Sequence, residues 1–449
     1  MAAATTRRKP STFERVARGP LRLLTHFGGA EIAEKLRLRG PAAKILYHGA
    51  KTSMRAATTA ANAVSQLGKK PAARLKPSAG SALFDPTPTE EQTLMRDTMR
   101  RFADEVLRPA AYAADEATKT PDAIFEQAHA LGLAQLAIPE ALGGMAESRS
   151  HVAGALIAEQ LARGDMGLAL AILAPLAVVN ALVDWGTAEQ QEIYLTPFLK
   201  GEAFVPAALA LLEPRPLFDP MQPRTGAVRS NDGGWVLHGE KSLVPLAESA
   251  TLFAVVADVR GRGPQVFLVD RATPGLTVQR DPAMGLRAAG LGRLRLDNAR
   301  VPSSALLGGD GGSFDIGALV DRARIAWGAM AVGTGQAILD YVIPYCNDRQ
   351  AFGEPVSHRQ SVAFLIADMA IELEGMRLLV HRAASLSERG GDVAHAAALA
   401  RTQCANKGMK IGTDGVQLLG GHGFVKEHPV ERWYRDLRAI AILEGALSV

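Results

Sequence analysis

Cysteine is nearly absent: Cys346 and Cys404 are the two in 449 residues. That excludes a disulfide framework and a ligand cluster of the kind a structural zinc needs, and it fits a reducing, cytoplasmic setting. Long apolar runs are also scarce. The longest, residues 166–183, is 18 residues long, the lower limit for crossing a bilayer, and Pro175, Asn180 and several alanines weaken it further. It reads as a buried helix pair in a soluble core. A chain 47% hydrophobic is not disordered throughout, and its length exceeds what one small core needs, so two or three packed units are expected.

The formal charge of +4 hides an asymmetry. Residues 1–80 carry 16 Lys/Arg against 3 Asp/Glu, and the remainder 34 against 43. This basic extension reads as helical pieces broken at Gly19-Pro20, Gly40-Pro41 and Gly68, ending in the Pro/Ser/Gly-rich stretch 76–81. No continuous apolar core follows its first arginines, which argues against a secretory signal; in a eukaryote it would be a candidate organellar targeting peptide, with a matrix location. Leu21, Leu24, Ile32, Leu36 and Leu38 alternate with Arg and Lys, as in a segment lying on an anionic membrane surface or docking on a partner. A solvated arm packed on its own enzyme is the other reading. With few aromatics for base stacking, lipid is preferred over nucleic acid, which is not expected as a partner.

Further on, three regions differ in periodicity. Across 85–200 helical signals dominate: Thr89 precedes an acidic first turn at Glu90 and Glu91, and Met95, Met99 and Phe102 share a face. Across 201–310 the pattern changes to short β-rich runs, W-V-L-H-G, T-L-F-A-V-V-A-D-V, Q-V-F-L-V-D and G-R-L-R-L-D, separated by turn residues. Across 311–449 it is helical again, with Val362, Leu365, Met369, Leu373, Met376 and Val380 at steps of three and four. The fold class is mainly α with an inserted β-domain.

Three strings occur in order in the last region: D-R-A-R (321–324), D-R-Q-A-F-G-E-P-V-S-H-R-Q (348–360), and Q-L-L-G-G-H-G-F (417–424) running on to P-V-E-R-W-Y-R-D (429–436). With I-P-E-A-L-G-G-M (138–145), A-E-Q-L-A-R-G-D (158–165), G-E-K (239–241) and V-P-S-S-A-L-L-G (301–308), the chain after residue 85 resembles the acyl-CoA dehydrogenase family. The resemblance implies a helical domain, a middle β-barrel-like domain and a C-terminal helical bundle. It also implies FAD as cofactor, an acyl-CoA substrate, an electron-transferring flavoprotein as reoxidant, and a homodimer or homotetramer.

Residue by residue, the resemblance places Arg349, Phe352 and Gln360 near the diphosphate and adenine of FAD, partly across a subunit interface. A guanidinium suits phosphate and Phe offers an apolar wall. Gln417, Gly420 and Gly421 match a turn that approaches FAD through backbone N–H groups, the alternative being a plain helix C-cap. Ala446 falls among the cofactor positions. Asp321 and Arg324 match CoA-side positions, with a structural ion pair, for instance of Arg324 with Glu159, as the competing reading.

Abstraction of a weakly acidic α-proton needs a carboxylate, and A-I-L-E-G-A (441–446) aligns Glu444 with the family's base. Leu443, Ile442 and Ala446 are expected to desolvate it and raise its pKa. The other position used in the family is Ala323 here, which cannot serve. A surface or salt-bridged glutamate is the alternative.

Departures stand beside the matches. Leu212, Leu243 and Pro245 occupy positions where Thr, Trp and Thr are commoner, and Pro245 has neither N–H nor hydroxyl to offer a flavin. The sequence ends five residues beyond Glu444, where relatives continue, which leaves closure of the site open. These features motivate the alternative of a non-catalytic or auxiliary homologue, one half of a hetero-oligomer or a membrane-surface protein.

Overall fold

The computed structural model describes residues 85–147 and 149–449. The basic extension 1–80, its helical breaks and its membrane contact lie outside the described residues. The stretch from Phe84 to Val449 clusters as one compact unit.

The first helical layer opens where the sequence signals it. Thr89 caps α1 (Glu90–Phe102) through a reciprocal capping box with Gln92, Glu90 and Glu91 occupy the first turn, and Met99 and Phe102 are buried. A π-helical turn (Ala103–Leu107) leads into α2 (Arg108–Ala117), followed by α3 (Asp122–Ala130) and α4 (Leu133–Ala137). Then come α5 (His151–Gly164), α6 (Met166–Trp185) and α7 (Ala188–Lys200).

The run expected to be a helix pair is one helix, α6, continuous through Pro175. Nearly all of its residues from Met166 to Leu182 are buried. Burial on every face outweighs the roughly 3 kcal/mol that an interior proline costs. Among the described residues it alone is long and apolar enough to cross a membrane, and it sits inside the core.

The middle unit is a seven-stranded curled sheet. Its strands are β1 (Ala207–Ala210), β2 (Gly226–Arg229), β3 (Trp235–Val244), β4 (Leu252–Val259), β5 (Gly263–Asp270), β6 (Leu276–Arg280) and β7 (Gly292–Val301). They run β1-β4-β2-β3-β7-β6, with β5 also on β4. The four β-rich runs read from the sequence fall in β3, β4, β5 and β7; β1, β2 and β6 are too short or too polar to show a period-2 signal. Ala208, Phe253, Val255, Phe267 and Leu294 join the core between this sheet and α6.

The last layer comprises α8 (Ile316–Asp348), α9 (Gln360–Arg389), α10 (Val393–Leu419) and α11 (Val430–Leu437), with α8 packed against α5, α9 and α10. The α5–α8 approach depends on Gly333, where a Cβ would stand 1.9 Å from the Glu159 carbonyl oxygen. Met369, Leu373, Met376 and Val380 of α9 are buried, as their spacing predicts. Both cysteines are free and buried, Cys346 in α8 and Cys404 in α10.

Charged groups tie the layers together. Arg432 of α11 bonds Asp165, the cap of α6, at 2.9 Å; Asp436 accepts the Leu286 N–H at 2.6 Å; Arg435 bonds both oxygens of Asp115 on α2. Burial, together with the charge of Asp165, pushes the Asp436 carboxyl well above the ordinary carboxylate range.

Candidate active site

After α11 a 3₁₀ turn (Arg438–Ala441) delivers the chain to Leu443, Glu444 and Gly445 at the junction of the helical layers with β1's continuation. Gly445 has φ +69°, and a Cβ there would lie 2.7 Å from that of Leu211, so only glycine fits. The Gly445 carbonyl accepts a 2.8 Å hydrogen bond from the indole of Trp327, which is fully buried on α8. Ala446 follows with φ +64°, a left-handed conformation that costs a non-glycine residue about 1 kcal/mol or more. Leu447 and Val449 are buried, and Ser448 accepts a bond from Asn180 of α6.

This loop presents Glu444 to two arginines. Arg324 of α8 donates to both carboxylate oxygens, at 3.1 and 3.3 Å, and Arg401 of α10 stands 3.2 Å from Oε1. Arg401 also donates to the Leu443 carbonyl at 2.8 Å. The Glu444 side chain is 11% exposed. Burial lowers the Arg401 pKa, which Glu444 opposes and Arg324 reinforces.

The surroundings expected for Glu444 need correcting. Leu443 and Ala446 are buried, but Ile442 is 50% exposed and does not shield the carboxylate. The partners that matter are ionic, brought in from α8 and α10. The partner suggested for Arg324 is also corrected: Arg324 does sit in an ion pair, but with Glu444, while Glu159 pairs with Arg377, at 3.0 Å, and with His381. Helix α8 has turned Arg324 towards the Glu444 loop, so the arginine one helical turn from Asp321 faces the candidate base. Asp321 is 9% exposed, and burial raises its pKa against the lowering pull of Arg324.

A second group of expected residues meets elsewhere. Arg349, Gln417, Gly420 and Gly421 line a hollow of about 480 Å³ together with Tyr345 and Leu365. Gly420 caps α10 with φ +58° and ψ −129°, so the cap and the turn at the hollow are the same residue. A Cβ at Gly420 or Gly421 would meet nothing within 4 Å, which leaves both backbones open to this space. The turn is braced from α8, where the Tyr345 hydroxyl donates to the Leu419 carbonyl at 3.3 Å and lies 2.8 Å from His422 Nδ1.

Phe352 is 97% exposed, Gln360 is exposed at the start of α9, and neither lines the hollow. Ala446 sits beside Glu444 rather than there. Of the departures, Leu212 is buried, Leu243 has φ +52° with its N–H bonded to Asp281 at 3.2 Å, and Pro245 lies in the turn after β3.

The sequence reading missed Arg401. It belongs to no motif, though it borders the small apolar stripe Ala397, Ala400, Cys404 and Gly408 on α10, where an arginine demands a partner. It also missed Lys241 beyond its place in G-E-K. Lys241 is fully buried behind the Glu444 loop, bonded to the Leu211 carbonyl and Glu213, each at 3.0 Å. Burial brings Lys241 down to about 8; burial alone would raise Glu213, but Lys241 and the Thr225 and Arg224 N–H groups bring it to about 2.

Models of the acyl-CoA dehydrogenase N-terminal, middle and C-terminal domains match residues 89–202, 208–299 and 309–449. The chain is 33% identical to the mitochondrial short-chain specific acyl-CoA dehydrogenase of Bos taurus over 80% of this chain and 88% of that one. It is 32% identical to an acyl-CoA dehydrogenase of Bacillus subtilis over 80% and 96%. Among solved structures it is similar to butyryl-CoA dehydrogenase from Megasphaera elsdenii, with TM-score 0.74, 28% identity and coverage of 81% and 96%. Glutaryl-CoA dehydrogenase of Mycobacterium smegmatis in complex with FADH2 gives 0.72, 25%, 80% and 92%. Three domain models in the family's order, with relatives matched over most of their length, make this chain a member of the acyl-CoA dehydrogenase family.

Proposed function

We propose that the protein is an FAD-dependent dehydrogenase of an acyl-CoA thioester, forming the α,β-unsaturated product, with Glu444 as the base. The observation that carries this is a carboxylate held by Arg324 and Arg401 on a loop fixed by Gly445 and Trp327. Such a carboxylate is oriented before substrate arrives, which proton abstraction at Cα requires.

The donor set fits the cofactor. Arg349 offers charge-assisted bonds to a diphosphate, Gly420 and Gly421 open their backbones to it, and Gln417 adds an amide. Bound FAD supplies the acceptor for the hydride that leaves Cβ. Glu444 takes the α-proton, Arg324 stays beside the carboxylate while its charge changes, and Asp321 and Arg324 flank the CoA end.

The exposure of Phe352 and Gln360 supports a homodimer or homotetramer in which another copy covers them; the family membership and the mitochondrial relative support an electron-transferring flavoprotein as reoxidant and a cytoplasmic or, in a eukaryote, matrix location. The auxiliary reading keeps two specific observations: Glu444 is salt-bridged to Arg324 and Arg401, and Leu243 spends its N–H on Asp281 while Pro245 has none to give.

Anaerobic addition of short, medium and long acyl-CoA to the flavin-loaded protein tests the proposal. Bleaching of the flavin bands by one chain class is expected, slowed about 10²–10⁴-fold in Glu444→Gln. No bleaching across the panel, or flavin retained only on adding a partner chain, would replace it with the auxiliary reading.

A further inference from the structure

The geometry points to Arg401 as a positioning residue for the candidate base: from α10 it grips the loop at the Leu443 carbonyl and sets its charge against the Glu444 carboxylate, fixing where that base sits. The inference rests on the reading of Glu444 as the base.

The two arginines divide the work. Arg324 touches only the side chain of Glu444, one nitrogen to each oxygen. Arg401 bonds the backbone one residue earlier at 2.8 Å while standing 3.2 Å from Oε1. A planar guanidinium reaches both acceptors in one preset orientation, which a lysine ammonium on its flexible stem does not. Arg401 is also the less exposed of the two, 14% against 23%, so solvent screens its charge less.

The charged groups around Glu444 come from every side. Arg324 and Asp321 face it from α8 and Arg401 from α10, while Asp315 and Asp392 act on Asp321 from the starts of α8 and α10. Behind the Leu211 wall that Gly445 abuts, Glu213 pairs with both Lys241 and Arg215. Two guanidiniums therefore face Glu444 against one acid, Asp321, whose protonated form burial favours.

The test uses the flavin-loaded protein. In Arg401→Met the acid limb of kcat/KM is expected to move up by about 1–3 pH units, the usual effect of an arginine on an adjacent carboxylate. Arg401→Lys keeps the limb near the wild-type position but lowers kcat on the order of tenfold to a hundredfold, through lost orientation. Arg401→Gln, whose amide still reaches the Leu443 carbonyl, moves the limb with less loss of kcat, and it replaces the methionine variant if that one does not fold.

Infrared difference titration of each protein against its Glu444→Gln counterpart reads the same carboxylate without turnover. A Glu444 titration that stays put in both the methionine and glutamine variants overturns the inference. Full activity of Glu444→Gln would instead sink the base reading, and the infrared titration would still decide what Arg401 does.

Discussion

Replacing Trp327 by Phe separates the hydrogen bond that anchors the Glu444 loop from the bulk of the side chain that makes it. Trp327 is fully buried, and its Nε1 is 2.8 Å from the Gly445 carbonyl oxygen. Loss of the donor strands a buried carbonyl, at about 1–3 kcal/mol. Shrinking the indole to a phenyl adds about 1–2 kcal/mol, below the roughly 3–5 kcal/mol of truncation to alanine. The expected cost is therefore about 2–5 kcal/mol, from the sum of those two terms. The readout is the difference in urea midpoint multiplied by a shared m-value. Protein concentration and flavin saturation are held equal, because ligand and subunit binding shift apparent stability. Because Gly445 adjoins Glu444, the same variant should lose kcat more than it raises KM. A stability change below about 0.5 kcal/mol, the range of ordinary surface substitutions, would refute the argument that this bond holds the loop.

Two further outcomes follow from buried charge. Because the folded state keeps the Asp436 proton to higher pH than the unfolded chain does, stability declines as pH climbs above the ordinary carboxylate value of about 4. Asp436→Asn still accepts the Leu286 N–H, so its melting temperature should fall less than the wild type's between about pH 5 and about 8; parallel curves would refute the assignment. Lys241→Met strands the Leu211 carbonyl and leaves Glu213 with Arg215, at 3.2 Å, as its remaining cation; it should cost about 1–3 kcal/mol in urea unfolding, with part recovered when Glu213 is made Gln as well, and no recovery would mean that packing, not charge, explains the loss.

Much of the architecture was legible because it is written locally. The helix start after Thr89, the stripe Met369, Leu373, Met376 and Val380, and the continuous apolar runs of β4 and β5 each lie within one element, and each formed as its pattern requires. The order of the motif strings gave the family, because they fall along the whole chain after residue 85 in the family's order. Continuity of α6 was not legible. Pro175 is a local break signal, and the burial that overrides it comes from the sheet and neighbouring helices.

The sequence by itself determined which residue types stand ready: a glutamate before a glycine, an arginine in D-R-A-R, a glycine pair after Gln417. It could not determine what surrounds Glu444. Arg324 lies 120 residues before it and Arg401 lies 43 before it, and neither separation carries a periodic or turn signal. Only the packing of α8 and α10 beneath the final loop brings both guanidiniums to one carboxylate, while the packing of α5 on α9 sent Glu159 to Arg377. Short-range sterics and hydrogen bonding fix an element from its own residues, whereas the charge environment of a site is a sum over groups that share space but not sequence.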